Sequence, residues 1–288
     1  MLEVTKDILK NIYKERSKDS KKYDFGLLIV IGGSEFYSGS PALSAMAAFK
    51  SGVDMVRIIA PKRAADIIAS FSPNLAAYPL EGSHLTKKHL ATLISMTESA
   101  KEVARGNAAV VIGGGMGRTE ATQEAILDYL EQIQVPVVAD ADAIHALGEK
   151  PEIIAKKPFL ITPHTYEFFV LTKREIYQLS EEEKIKAVQE EAARLETTIL
   201  LKGPIDIISD GKEVALNRGG SPYMAKGGTG DVLAGICGAL LARGCGPFET
   251  ACAASFLNKR AGEIATQKLK EGLTATDLIE AIPEVLKL

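Results

Sequence analysis

Residues 26 to 61 read GLLIVIGGSEFYSGSPALSAMAAFKSGVDMVRIIAP and hold a strand, a helix and a second strand in that order. The apolar run from Gly26 to Gly33 predicts a buried strand. Ser40 and Pro41 predict a helix start, a capping hydroxyl followed by proline at the first helical position, and Gly52 predicts its end. Residues 54 to 61, DMVRIIAP, predict the next strand. Strand, helix, strand is the βαβ unit, which argues for a largely parallel sheet covered by helices.

The alternation continues outward from this unit. Helices are expected near 62 to 70 and 86 to 99, a strand at 108 to 115, a helix at 119 to 132, and strands at 135 to 142 and 158 to 164. A strongly charged helix follows at 180 to 195, where i, i+4 pairs read as a solvated face. The β-branched runs 197 to 203, 206 to 211 and 213 to 217 then predict an antiparallel hairpin. No Pro/Gly/Ser-rich linker divides the chain, so residues 1 to 288 read as one domain. Polar or glycine-rich loops come just after the apolar strands: GGSEFYSGS, GGGMGR, DADA, TPHTYEF and KGGTGD. In an open α/β sheet such loops share the cleft beyond the carboxyl ends of the strands.

Composition sets the class of ligand. With 46% hydrophobic and 25% charged residues and a net charge of −3, the surface offers no broad attraction to nucleic acid or anionic lipid. Phosphate recognition must then come from local geometry, and a small-molecule site is expected. The three cysteines, Cys237, Cys245 and Cys252, include no C-x-x-C pair and predict neither a disulfide framework nor a zinc site. The charged amino-terminal segment lacks an apolar h-region, and no segment holds ~20 uninterrupted apolar residues, so a cytoplasmic protein without a membrane partner is expected.

The sharpest chemical signal is MAKGGTGDVLAG, residues 224 to 235, where three glycines precede a polar residue that opens an apolar helix. Glycine lets the backbone approach a ligand, and the free N–H groups of a first helical turn can receive a phosphate. Asp231 would face the same space and could take the proton of a substrate hydroxyl. Capping by Thr229 or Asp231 accounts for one residue of this run, not for all of it. GGGMGR is a weaker signal: it lacks a full G-x-G-x-x-G pattern, and Asp140 follows later than the usual ~20 residues of a dinucleotide fingerprint. Asp140 and Asp142 could either carry a magnesium ion that arrives with a nucleotide or end a strand and cap a helix.

At Gly228, Thr229, Gly230 and Asp231 the chain resembles the ribokinase-like superfamily, whose phosphate-handling helix starts with G-x-G-D. Within it, VIGGSEFYSGSPALSA, VVIGGGMGR, VVADADAIHAL, LITPHTYEF, LLKGPIDII and GGTGDVLAG follow the order of the ADP- or ATP-dependent NAD(P)H-hydrate dehydratases. The resemblance implies a single three-layer αβα domain with a largely parallel central sheet and an antiparallel C-terminal hairpin. It implies contact of Ala42, Gly117, His164 and Asp231 with hydrated NADH or NADPH. It also implies adenine-nucleotide contact at Lys202, Gly203, Pro204, Ile205 and Asp206 and at Gly228, Thr229 and Gly230. Asp231 would be catalytic, ADP or ATP the co-substrate, Mg2+ its companion, and a homo-oligomer the assembly. Two departures stand out: the family's HPGE is His164-Thr165-Tyr166-Glu167 here, and Asp206 stands where many relatives carry threonine. A small-molecule kinase of the same superfamily would share Asp231 and release a stable phosphoester. A non-catalytic nucleotide-binding regulator would not need that carboxylate.

Overall fold

The structure is a computed structural model that describes residues 1–287; Leu288, the last residue of the span read as one domain, lies outside the described residues. The first half runs β1 (Leu2–Glu3), α1 (Asp7–Ile12), β2 (Leu27–Ile31), α2 (Gly39–Lys50), β3 (Met55–Pro61), α3 (Lys62–Phe71), β4 (Ala76–Leu80), α4 (Leu90–Val103), β5 (Ala108–Ile112) and α5 (Glu120–Gln132). The second runs β6 (Val137–Ala139), α6 (Asp142–Leu147), β7 (Phe159–Ile161), α7 (Thr165–Thr172), α8 (Glu181–Leu195), β8 (Thr198–Leu201), β9 (Asp206–Ser209), β10 (Val214–Asn217), α9 (Thr229–Ala242), α10 (Pro247–Leu269) and α11 (Ala275–Val285).

All ten strands join one sheet in the order β1-β10-β9-β8-β7-β6-β5-β2-β3-β4. Every pairing is parallel except those of β9, which is antiparallel to both β8 and β10. Side chains alternate across a strand, so each central strand feeds two cores. Leu28 and Val30 of β2 point to the face covered by α1, α2, α3, α9, α10 and α11. Leu27, Ile29 and Ile31 point to the face covered by α4 to α8. The continuous apolar runs of the sequence follow from this double coverage.

The expected three-layer αβα architecture is present, with local differences. The antiparallel strands lie before three further helices rather than at the chain's end, and α10 and α11 follow a region in which only α9 was anticipated. β4 was missed because Pro79 weakens its strand signal; as an edge strand it tolerates the proline. The start of α2 is corrected: the helix begins at Gly39, its cap position is Ser38, and no side chain bonds there. Ser40 lies inside the first turn, and its hydroxyl has another use.

The chain order reverses between β2 and β5. From β2 the strands step outward through β3 to β4, and from β5 they step the other way through β6 and β7. That reversal opens a crevice at the carboxyl ends of the two strands. The loops after β2, β5, β6, β7 and β8 surround it, and α9 begins there.

Candidate active site

The site is built on the start of α9. Gly228 has φ +95°, a left-handed conformation that favours glycine, and a Cβ there would meet Ala275 Cβ and Leu43 Cδ1 at 2.8 Å. Its carbonyl accepts the N–H of Val232 at 3.0 Å, which starts the helix. Gly230 is different: a Cβ would find only Lys202 Nζ at 3.6 Å and Asp140 Oδ2 at 4.0 Å. Gly228 therefore turns the chain, while Gly230 keeps the space before two charged groups clear.

Asp231 is held from two directions. Its Oδ1 accepts the hydroxyl of Ser40, and its carbonyl accepts that of Ser44 at 2.8 Å. These serines lie four residues apart on one face of α2, a spacing visible in SGSPALSA. The β5 loop closes in as well, since a Cβ at Gly114 would stand 3.1 Å from Asp231 Oδ1. Burial pushes the Asp231 carboxyl up to about 6; the charges of Asp140 and Asp142 add to this, and the Ser40 bond and Lys202 oppose it. Such a group is ionised at neutral pH and is a better base than an ordinary aspartate.

Across from Gly230, the Lys202 ammonium bonds Asp140 Oδ1 at 2.7 Å and lies 3.5 Å from Glu167 Oε2. Burial alone would lower its pKa, but the two carboxylates outweigh burial and raise it, so the lysine stays charged. Thr162 donates to the same Asp140 oxygen at 2.8 Å. Asp140 Oδ1 is thus committed within the protein, whereas Oδ2 has no protein donor among the described residues. Both oxygens of Asp142 are engaged, by Gly117 N–H at 2.9 Å and Arg118 Nε at 2.8 Å. Asp142 does not cap α6, whose cap position is Ala141 with no side-chain bond; it ties down the GGGMGR loop instead, and of the two aspartates only Asp140 has an oxygen suited to a cation brought by a nucleotide.

Of the residues expected to meet the hydrated dinucleotide, Gly117 lies on the loop after β5 and His164 on the loop after β7. Gly117 has φ +82°, and a Cβ there would face His84 at 3.6 Å. His164 caps α7: its Nδ1 accepts the N–H groups of Tyr166 and Glu167 at 3.1 and 3.3 Å, and Glu167 answers on the His164 N–H at 2.8 Å. This capping box fixes the ring, leaving Nε2 as the nitrogen that carries a proton. Tyr166, 60% exposed, lies beside it with ring centroids 6.5 Å apart. Ala42 is placed otherwise, its methyl buried in the core on α2. Its remaining contact would be through the main chain, two residues from Ser40.

On the other flank, Gly203 and Pro204 are exposed in the turn between β8 and β9 and Ile205 is half-buried. Asp206 is buried and turned inward, its Oδ1 accepting Gly203 N–H at 3.0 Å and its Oδ2 the Ser255 hydroxyl at 2.6 Å. Thr229 donates to Lys226 carbonyl at 2.9 Å and steadies the glycine loop. Sequence reading missed Ser40, Ser44 and Glu167 as site residues. The first two are visible in hindsight as an i, i+4 pair, and Glu167 as a capping-box partner.

A parallel sheet whose order reverses beside a glycine-lined helix start, with one carboxylate at that start and one lysine facing it, defines an α/β protein of the ribokinase-like class. Similarity to known proteins narrows the class. Residues 28–284 match the family model described as NAD(P)H-hydrate dehydratase, and the chain belongs to that family. It is 36% identical over 287 residues to the ADP-dependent (S)-NAD(P)H-hydrate dehydratase of Cenarchaeum symbiosum, covering 99% of this chain and 96% of that one. It is 43% identical over 274 residues to the bifunctional NAD(P)H-hydrate repair enzyme of Pyrobaculum aerophilum, covering 94% of this chain and 52% of that protein. The chain thus spans about half the length of the bifunctional relatives it matches. Among solved structures, the ADP/ATP-dependent NAD(P)H-hydrate dehydratase of Bacillus subtilis, co-crystallized with ATP/Mg2+, is similar with a TM-score of 0.80 at 26% identity, covering 99% of this chain and 98% of that one.

Proposed function

We propose that this chain dehydrates hydrated NADH or NADPH at the expense of ADP or ATP, restoring the reduced cofactor. The observation that carries this reading is Asp231: a half-buried carboxylate with its pKa raised to about 6, fixed by Ser40 at the start of a glycine-opened helix. The substrate's hydroxyl is a poor leaving group and phosphate is a good one. As Asp231 takes the hydroxyl proton, the hydroxyl oxygen attacks the terminal phosphorus of the nucleotide, and AMP or ADP departs. The N–H groups of Gly228, Gly230 and Asp231 and the Lys202 ammonium stabilise the phosphoryl oxygens. The ring nitrogen's lone pair then expels phosphate, and loss of a proton from the neighbouring carbon restores the ring double bond.

Ala42, Gly117 and His164 would bind the dinucleotide, and Lys202 to Asp206 with Gly228 to Gly230 the adenine nucleotide. Magnesium bound with the nucleotide would screen its phosphate charge, and Asp140 is the residue fitted to hold it. A cytoplasmic setting agrees with three free cysteines, and no helix among the described residues is long and apolar enough to cross a membrane.

Purified protein given hydrated NADH or NADPH with ADP or ATP and magnesium should yield reduced dinucleotide and inorganic phosphate together. Absorbance and a phosphate assay follow the two products. A small-molecule kinase would leave phosphate on its acceptor, so a stable phosphoester from a vitamin precursor or sugar, with no turnover of the hydrate, would reject the dehydratase reading.

A further inference from the structure

Beneath the turn between β8 and β9 lies a charged group that the chemistry above does not use. Lys259, on α10, is 6% exposed. Its ammonium donates to the carbonyls of Pro204 at 2.9 Å, Asn217 at 3.1 Å and Gly203 at 3.2 Å, and lies 3.4 Å from Asp206 Oδ1. Asp206 completes the network through Gly203 N–H and the Ser255 hydroxyl, and Ser255 accepts the Asn217 amide at 2.7 Å. The turn and the end of β10 are thereby tied to one helix.

Stability does not explain this arrangement. Burial pushes the Asp206 carboxyl up and pulls the Lys259 ammonium down, each toward its neutral form. A buried pair of this kind gives little net stability compared with apolar packing of the same volume. What the ammonium does supply is orientation. Its three protons face four acceptors, two of them successive carbonyls of the turn. A planar trans peptide directs its N–H opposite to its C=O. With the Pro204 carbonyl drawn down to Lys259, the Ile205 N–H points to the other side of the turn, where it has no protein acceptor among the described residues. The lysine also balances Asp206, whose charge alone would repel a phosphate.

We infer that Lys259 is a positioning residue for the nucleotide: it grips the inner carbonyls of the Gly203–Asp206 turn, neutralises Asp206 and presents the Ile205 N–H as a donor to the adenine nucleotide. The inference rests on the reading that this turn lines the nucleotide site. It explains how an aspartate can stand at 206, for its carboxylate serves the turn from within.

The test is Lys259→Met in the full chain, with ADP titrated by calorimetry and hydrogen exchange followed over residues 202 to 209. Faster exchange of the turn is expected, with a rise of ~10-fold or more in Kd and KM for ADP, about 1.4 kcal/mol. The effect should fall on KM for ADP rather than on kcat, with KM for the hydrate unmoved, a split that a general loss of structure would not produce. Should the lone buried Asp206 prevent folding, the double variant Asp206→Asn, Lys259→Met removes both charges and should fold yet still bind ADP weakly. Wild-type affinity for ADP in either folded variant overturns the inference. If ADP binds the wild type without slowing exchange across 202 to 206, the turn is not the nucleotide site, and that separate result removes the reading on which the inference stands.

Discussion

Asp231 is both a helix-start residue and a half-buried carboxylate. Its bond from Ser40 and the Ser44 bond to its carbonyl leave it little freedom, so its proton affinity is set mainly by burial. Protonation removes the base, and kcat/KM should therefore fall as the pH drops through about 6, well above the ~3.9 of a free aspartate. Asp231→Asn, similar in shape but unable to take the proton, should lose ~10²-fold or more in turnover and keep nucleotide affinity. Near wild-type turnover, or a flat profile between pH 5 and 7, would remove Asp231 from the reaction. At this scale the sequence was informative where several residues pointed one way, as in KGGTGD. It was misleading at Ser40, since a serine before proline is also the ordinary mark of a helix cap. The hydroxyl's real acceptor lies 191 residues away, beyond any local pattern. Lys259 was hidden for the same reason, its acceptors at Gly203, Pro204 and Asn217 lying 56, 55 and 42 residues away.

The start of α9 separates two uses of glycine within three residues. Gly228 is required by its backbone: alanine there would bear the cost of positive φ, roughly 1–2 kcal/mol, and would press on Ala275 and Leu43. Gly230 is required by the space it leaves before Lys202 and Asp140. Gly230→Val should consequently fold and bind ADP or ATP at least ~10-fold more weakly, as read by calorimetry on a variant with native circular dichroism. Undiminished affinity would show that phosphate does not approach this helix start. Elements were legible where a continuous apolar run or a charged helical period marked them, and length alone was no guide, since the 23-residue α10 was not anticipated. β2, β3 and β5 are continuous apolar runs, and the charged α8 has the period and capping of a solvated helix. β4 interrupts its pattern with a proline, and α7 is short and aromatic, opening with a histidine cap in place of the usual serine or aspartate.

The whole molecule places these parts by topology. Reversal of strand order between β2 and β5 brings the GGSEFYSGS and GGGMGR loops together, and α9 meets them with Asp231. The alternation of strands and helices announced a parallel sheet, but strand order is long-range information that no window of sequence contains. Motif order along the chain supplied it indirectly by pointing to a family, to which similarity over residues 28–284 assigns the protein. The central claim is that the substrate's hydroxyl oxygen leaves as part of phosphate rather than as water. Hydrated NADH carrying 18O in that hydroxyl, turned over with unlabelled ADP or ATP in unlabelled water, measures this directly. Transfer to the hydroxyl followed by elimination predicts one 18O in each phosphate released, seen by mass spectrometry; unlabelled phosphate, with the label in water, would contradict it.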